Sequence, residues 1–512
     1  MYKLLLRKVL SAGFLLLIPV FVHASSWYVD PAAAQNGNGT SWAAAWNSVG
    51  AIAWSSIKPG DTIFLSGGTT SQTYTTPLNV GASGVSGLPI TIKAGQDAGH
   101  SGTVIFDGGG GTSPMINIGS HPYITVDGGY NGSRNIVLQN NNLDSDDALL
   151  FASGNGVGSF LTGVVITSIE VKNSGSGIKV NYPAGVEISD SYVHNIGCEV
   201  GIAVNGSVDM QAGALWAQGA SIHDNTVQVN NLQQNQGYGP DAIQGTSGVD
   251  VYDNTITGAL GQMNCSQHQD GFQFSGNYER VYNNFFYCLA NSESEGDWVS
   301  KVDHTAGHYW FYNNTAGQCA AQSNSHGFES QVDSGAGVTL LTDVRFYNNT
   351  WTDLTGFMAV RILGTTGIPV TAVEIKDNIV YNTGSIAQVD PGTYSCGTDV
   401  MIASNNINNG AHGGNGAVLC NGAAYSPVGT VTAAPVFKSY TEYSAANDLH
   451  LQTTSTADIG KGLSLASIAS LFSTDKDGVS RLPPNTWDLG AYEANGSATT
   501  LAAPVLQPPV VN

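Results

Sequence analysis

Charge is scarce in this chain, and basic charge scarcest. Of 512 residues only 11% are charged, with 17 Lys and Arg against 38 Asp and Glu, a formal net charge of −21. Such a polyanion cannot hold nucleic acid by neutralising phosphates, and it is repelled by anionic lipid. Cysteine is also sparse: Cys198, Cys265, Cys288, Cys319, Cys396 and Cys420, with no CxxC pair. That argues against a zinc site, while an even count in an exported chain permits disulfides as readily as buried thiols. Long apolar runs are missing apart from Leu15 to Val22, too short to span a bilayer. With Lys3, Arg7 and Lys8 before it and Val22-His23-Ala24 after it, that run reads as a secretory leader over residues 1–24. The expected product is secreted, extracellular or periplasmic, with no membrane insertion of the mature chain.

Glycine is abundant, 64 residues, without the triplet period of collagen. A longer period replaces it. The fragments IHDNTV, VYDNTI, VYNNFF, FYNNTA, FYNNTW and IKDNIV align Asn225, Asn254, Asn284, Asn314, Asn349 and Asn378, with Asn195 and Asn406 extending the series at either end. The segments between alternate apolar and polar residues, without helical spacing. Each repeat is therefore one coil of short strands, stacked in parallel about 4.8 Å from the next. Equivalent Asn side chains then bond amide to amide up the stack. Solenoid ends need covering. Trp42, Trp46, Val49 and Ile52, behind Thr40 or Ser41, lie on one helical face and predict a capping helix.

The expected fold is all-β, a single-stranded right-handed parallel β-helix with an N-terminal helical cap. The expected divisions are a leader (1–24), a strand and capping helix (25–57), the β-helix (58–440), a closing segment (441–493) and a flexible tail (494–512). A further short helix is expected near 464–472. The opening WYVDP…NGNGTSWAAAW…KPGDTIFLSGG and the ending NDLHLQTTSTADIGKG…DKDGVSRLPPNTWDLGAYE resemble those of secreted bacterial β-helix proteins of the pectin-lyase-like superfamily. The resemblance implies a polysaccharide partner and a lyase, glycosidase or adhesin; fold alone does not choose among them.

Chemistry concentrates in one stretch. Asp241, Asp270, Asp297, His326 and Met358 each precede an apolar residue by two: Ile243, Phe272, Val299, Phe328 and Val360. Strand parity then turns the next residues, Gln244, Gln273, Ser300, Glu329 and Arg361, outward. This alignment stacks Asp241, Asp270, Asp297 and His326 on successive coils, where like charges repel unless a proton, cation or substrate intervenes. Turn-capping aspartates before glycine are the plainer explanation. The set resembles that of polygalacturonase-type glycosidases, matched here by Asp270, Asp297, His326-Gly327 and Arg361-Ile362. His268, Gly296 and Leu363 depart from that pattern. The resemblance implies Asp270 and Asp297 as an acid–base pair tuned by His326, with Arg361, His268 and Gln273 gripping substrate.

Two alternatives use the same wall. A polysaccharide lyase acting on a uronate would bind Ca²⁺ through Asp241, Asp270 and Asp297, with Lys301 or Arg361 as base. The hydrolase needs no cofactor. A noncatalytic glycan-binding or adhesive solenoid would need only aromatic platforms such as Trp298, Trp310, Tyr282 and Tyr312.

Overall fold

The computed structural model describes residues 24–143, 146–156, 158–197, 199–206, 219–229, 241–258, 269–289, 294–300, 304–320, 326–332, 337–354, 358–408, 410, 417–465, 473–481 and 487–494. All but the last residue of the leader, His268, Lys301, Cys198, Cys265, all but the first residue of the tail and most of the helix expected near 464–472 lie outside them.

Three long sheets form the three walls of a parallel β-helix. Wall 1 stacks 13 strands from Ser26–Val29 to Val400–Ala403. Wall 2 stacks 12, from Ser71–Tyr74 to Asn406–Asn408, and wall 3 stacks 13 from Leu78–Asn79, closing with Ala423–Tyr425. Every pairing within these walls is parallel except that last one. The alternation seen in the sequence is the cause: in Ile90–Ala94 each apolar residue is buried and each polar one half-exposed. One continuous core results. β-Branched residues fill its early coils; Phe272, Phe274, Trp298, Phe311 and Phe328 fill it further on. The ring centres of Phe311 and Phe328 are 3.7 Å apart.

The asparagine ladder stands at the corner between walls 1 and 2. Asn254 Nδ2 donates to Asn284 Oδ1 at 3.0 Å, and Asn284 Nδ2 to Asn314 Oδ1 at 3.1 Å. The same Oδ1 atoms accept the backbone N–H of the preceding Asn, at 3.0 Å in both cases. Inside the core, Asn254 Nδ2 also reaches the carbonyls of Ile222 and Tyr252. The ladder runs from Asn225 to Asn405, so Asn405 rather than Asn406 holds the last rung. Ser191 meets Asn225 at the other end, in place of Asn195, which bonds Asn173 at a different corner. The residue before each rung, Asp253, Asn283, Asn313, Asn348 or Asp377 among them, has positive φ, a conformation that short polar side chains tolerate.

The N-terminal cap is not a helix. Three 3₁₀ turns, Trp42–Ala44, Val49–Ala51 and Trp54–Ser56, replace it. Ser41 caps the first, accepting from Ala44 N. The expected helix is broken because Trp46 lies extended beside the first strand, exchanging backbone bonds with Tyr28 and Asp30. Trp46, Val49 and Ile52 still cover the core, all buried. Two disulfides, Cys288–Cys319 and Cys396–Cys420, account for every described cysteine.

Candidate active site on the third wall

The strands of wall 3 fix which side chains stand together. Their register reads Gln244↔Gln273, Gln273↔Asp297, Asp297↔Glu329, Glu329↔Arg361 and Arg361↔Gln388. These residues form one outward row, with neighbouring backbones about 4.8 Å apart. Beneath them, Ile243 and Phe272 pair, as do Gly296, Phe328 and Val360; Phe274, Trp298 and Ser330 form the next inward row.

This register corrects the sequence alignment of one coil. Asp297 does not share a row with Asp241, Asp270 and His326. Ser294 pairs with His326, and Asp297 stands three residues further along the strand, opposite Gln273 and Glu329. Trp298, not Val299, points inward and is fully buried. Gly296 occupies the inward place opposite Phe328, and a Cβ there would lie 1.8 Å from the Phe272 ring. Gly296 is thus a space left for an aromatic ring, not the place of a missing carboxylate. Trp298 provides no surface platform either. Of the other aromatic candidates, Tyr312 is buried, while Tyr282 and Trp310 are half-buried on wall 1.

Two groups of contacts organise the site. At the start of the strands, Gln244 Nε2 donates to Asp241 Oδ2 at 2.6 Å, and the backbone N–H of Asp270 donates to Asp241 Oδ1 at 3.2 Å. Asp270 is fully buried. Further up, Arg361 Nη1 meets His326 Nε2 at 2.9 Å and donates to Glu329 Oε2 at 3.2 Å. Guanidinium only donates, so His326 accepts at Nε2 and carries its proton on Nδ1. Burial, reinforced by the Arg361 charge, pushes the His326 pKa down to about 4. The imidazole is neutral near neutral pH, and its ring holds Arg361 against Glu329.

Asp297, Glu329, His326 and Arg361 are therefore brought together, with Gln273 beside Asp297. Asp241 and Asp270 form a separate pair at the strand start. Glu329 has no counterpart in the polygalacturonase-type motif set, and strand parity alone points to it. Its signal was its position one place after the inward Phe328. The trio Asp241, Asp270 and Asp297 does not suit one calcium ion, since Asp297 stands in the other row. Among the described residues no group of three His, Cys, Asp or Glu side chains is arranged to hold a metal.

No protein-family model matches the sequence, and no curated protein does. Solved structures of similar shape include that of XylC with xylose, at TM-score 0.46 and 11% identity over 77% of this chain and 86% of that one. Pectate lyase Pel9A gives 0.46 and 13% over 92% and 96%. A lacto-N-biosidase from Eubacterium ramulus gives 0.48 and 12% over 71% of this chain; the match spans 64% of that chain, less than two thirds.

Proposed function

We propose that the chain is an exported polysaccharide-processing enzyme, a glycoside hydrolase working on the outer face of wall 3. The observation that carries the reading is the pairing of Asp297 with Glu329 on neighbouring strands, in the outward row although only 6% and 3% exposed, with Arg361 bonded to both Glu329 and His326. Glycosidic cleavage needs a proton donor and a second carboxylate on either side of the bond. Glu329, which accepts a charge-assisted bond from Arg361, is the carboxylate held for attack. Asp297 is the proton donor. Neighbouring backbones stand about 4.8 Å apart and side-chain splay adds to that, so the pair can take the roughly 5–5.5 Å carboxyl separation of retaining enzymes, with Glu329 attacking carbon, or the roughly 6.5–9.5 Å of inverting ones, with Glu329 activating water. Asp270 and Asp241 act as positioning residues that fix the strand start. Gln273 binds substrate beside Asp297. Export is supported by the leader pattern and by two disulfides, which persist in oxidising compartments.

The test is incubation of purified protein with a polysaccharide panel, with and without EDTA, reading reducing ends and ultraviolet absorbance of unsaturated sugars. Reducing ends without absorbance, indifferent to EDTA, are expected. Unsaturated ends lost in EDTA would replace this reading with the calcium-dependent lyase. Binding without cleavage of any polymer would leave a recognition surface only.

A further inference from the structure

Wall 1 carries a second concave site that the hydrolase reading does not use. Its outer face has two rows. One runs Asp250, Arg280, Trp310, Arg345 and Glu374; the other runs Tyr252, Tyr282, Tyr312, Tyr347 and Lys376. Where the closing segment crosses these rows, Arg345, Tyr347, Glu374, Lys376 and Leu463 to Leu465 line a cleft of about 410 Å³ that is open to solvent on one side. That lies within the roughly 300–1,000 Å³ of small-molecule sites.

The polar groups here are fixed before any ligand arrives. Glu374 accepts from the Tyr347 hydroxyl and pairs with Lys376 Nζ at 2.9 Å. A carboxylate has about four lone-pair sites, so it retains acceptor capacity. Arg345 lies with its guanidinium carbon 4.9 Å from the Trp310 ring centre and gives Nε to Asp343. Its two Nη groups make no hydrogen bond among the described residues, and Arg345 is among the residues that line the cavity. Arg345 and Glu374 are register partners, so their backbones stand about 4.8 Å apart and both side chains line the cavity.

Charge selects the ligand class. Arg345 is balanced by Asp343 and Lys376 by Glu374, so the site offers directed donors and acceptors without net charge. A phosphate or metal ion gains little there. The apolar flank of Leu463 and Leu465 faces this polar floor. A sugar ring has the matching character, with hydroxyls on its rim and C–H bonds on its face. We propose that this cavity is a noncatalytic site for a neutral sugar ring, holding a saccharide chain to wall 1 while wall 3 remains free. The proposal does not depend on the hydrolase reading, because binding is read without turnover.

The test is calorimetric titration of the full chain carrying Asp297→Asn with xylose, glucose, galactose, their β-1,4-linked tetramers, and galacturonic acid. At least one neutral saccharide should bind. Arg345→Gln and Ser464→Trp should each weaken it about tenfold or more, while Arg361→Gln leaves it within about twofold. Ser464 is exposed at the rim, so its substitution blocks the cavity without touching the core and decides the matter should Arg345→Gln fail to fold. No neutral saccharide binding, binding of galacturonic acid alone, or binding indifferent to Ser464→Trp would each overturn the proposal.

Discussion

Asp297 and Glu329 stand on neighbouring strands, and their contacts with Arg361 distinguish the roles proposed for them. Only Glu329 takes the Arg361 guanidinium. Asp297→Asn and Glu329→Gln should each lower turnover by about 10²–10⁴ with the fold intact, measured as reducing-end release beside the thermal midpoint. A loss confined to Asp270→Asn would instead give the acid role to Asp270. His326 gives a pH signature of its own. Its folded pKa of about 4 lies below the usual value near 6.5. Between these values the unfolded chain binds the proton and the folded chain does not. The contribution of His326 to stability therefore rises with pH from about 4 to 6.5, and relative to the unsubstituted chain His326→Gln should lose that upward component in chemical denaturation curves.

At the scale of the strand and the turn, two devices set the register, and they differ in how plainly the sequence shows them. The ladder is plain because a buried amide must be satisfied on both sides, so Asn recurs on each coil from Asn225 to Asn405. Asn284→Leu leaves Asn254 and Asn314 short of partners and should destabilise by about 1–3 kcal/mol in denaturant titration. The ends were harder to read: Ser191 continues the ladder without an amide, and Asn405 and Asn406 are adjacent. Wall 3 is less legible still. Its coils are joined by stretches of unequal length, so the period measured at the ladder does not carry across to this wall. The motif Asp-x-apolar then slipped by three residues at Asp297. The inward pair Gly296 and Trp298, opposite Phe328 and Ser330, was the signal that fixes it. Here a glycine and a tryptophan share the volume that two phenylalanines, Phe272 and Phe274, fill one coil earlier. Gly296→Ala would drive a methyl into the Phe272 ring. It should cost about 1–3 kcal/mol and reduce activity through displacement of Asp297, whereas a neutral outcome would remove the space-filling account.

Across the whole molecule, the ladder corner also holds the closing segment. The ladder residues face inward, and the positive-φ residues before them face out and dock that segment. Asn313 Nδ2 donates to the Thr474 carbonyl at 2.8 Å and Asn348 Nδ2 to that of Asp488 at 3.0 Å. Both oxygens of Asp377 lie 2.9 Å from Leu463 N. The Asn283 carbonyl accepts from Lys476. Arg481, fully buried, donates to Glu493 and to Asn313. Burial raises the pKa of Asp377 to about 8 and of Glu493 to about 7, against the lowering effect of Arg481. An unfolded carboxyl titrates near 4, so the folded clasp holds protons that the unfolded chain has lost. That contribution is complete below about pH 4 and is lost as pH rises through about 7 to 8. Lys476, lowered by burial to about 8, acts in the opposite direction, but only above that pH. Between pH 5.5 and 7.5 the carboxyls decide the sign. Hydrogen-exchange protection over residues 473–481 and 487–494, corrected for intrinsic exchange, should therefore fall across that interval. Asp377→Asn keeps an acceptor for Leu463 and removes one titrating group, so it should shallow the fall. Protection that rises with pH would mean that ion pairing with Arg481, rather than burial, governs the clasp.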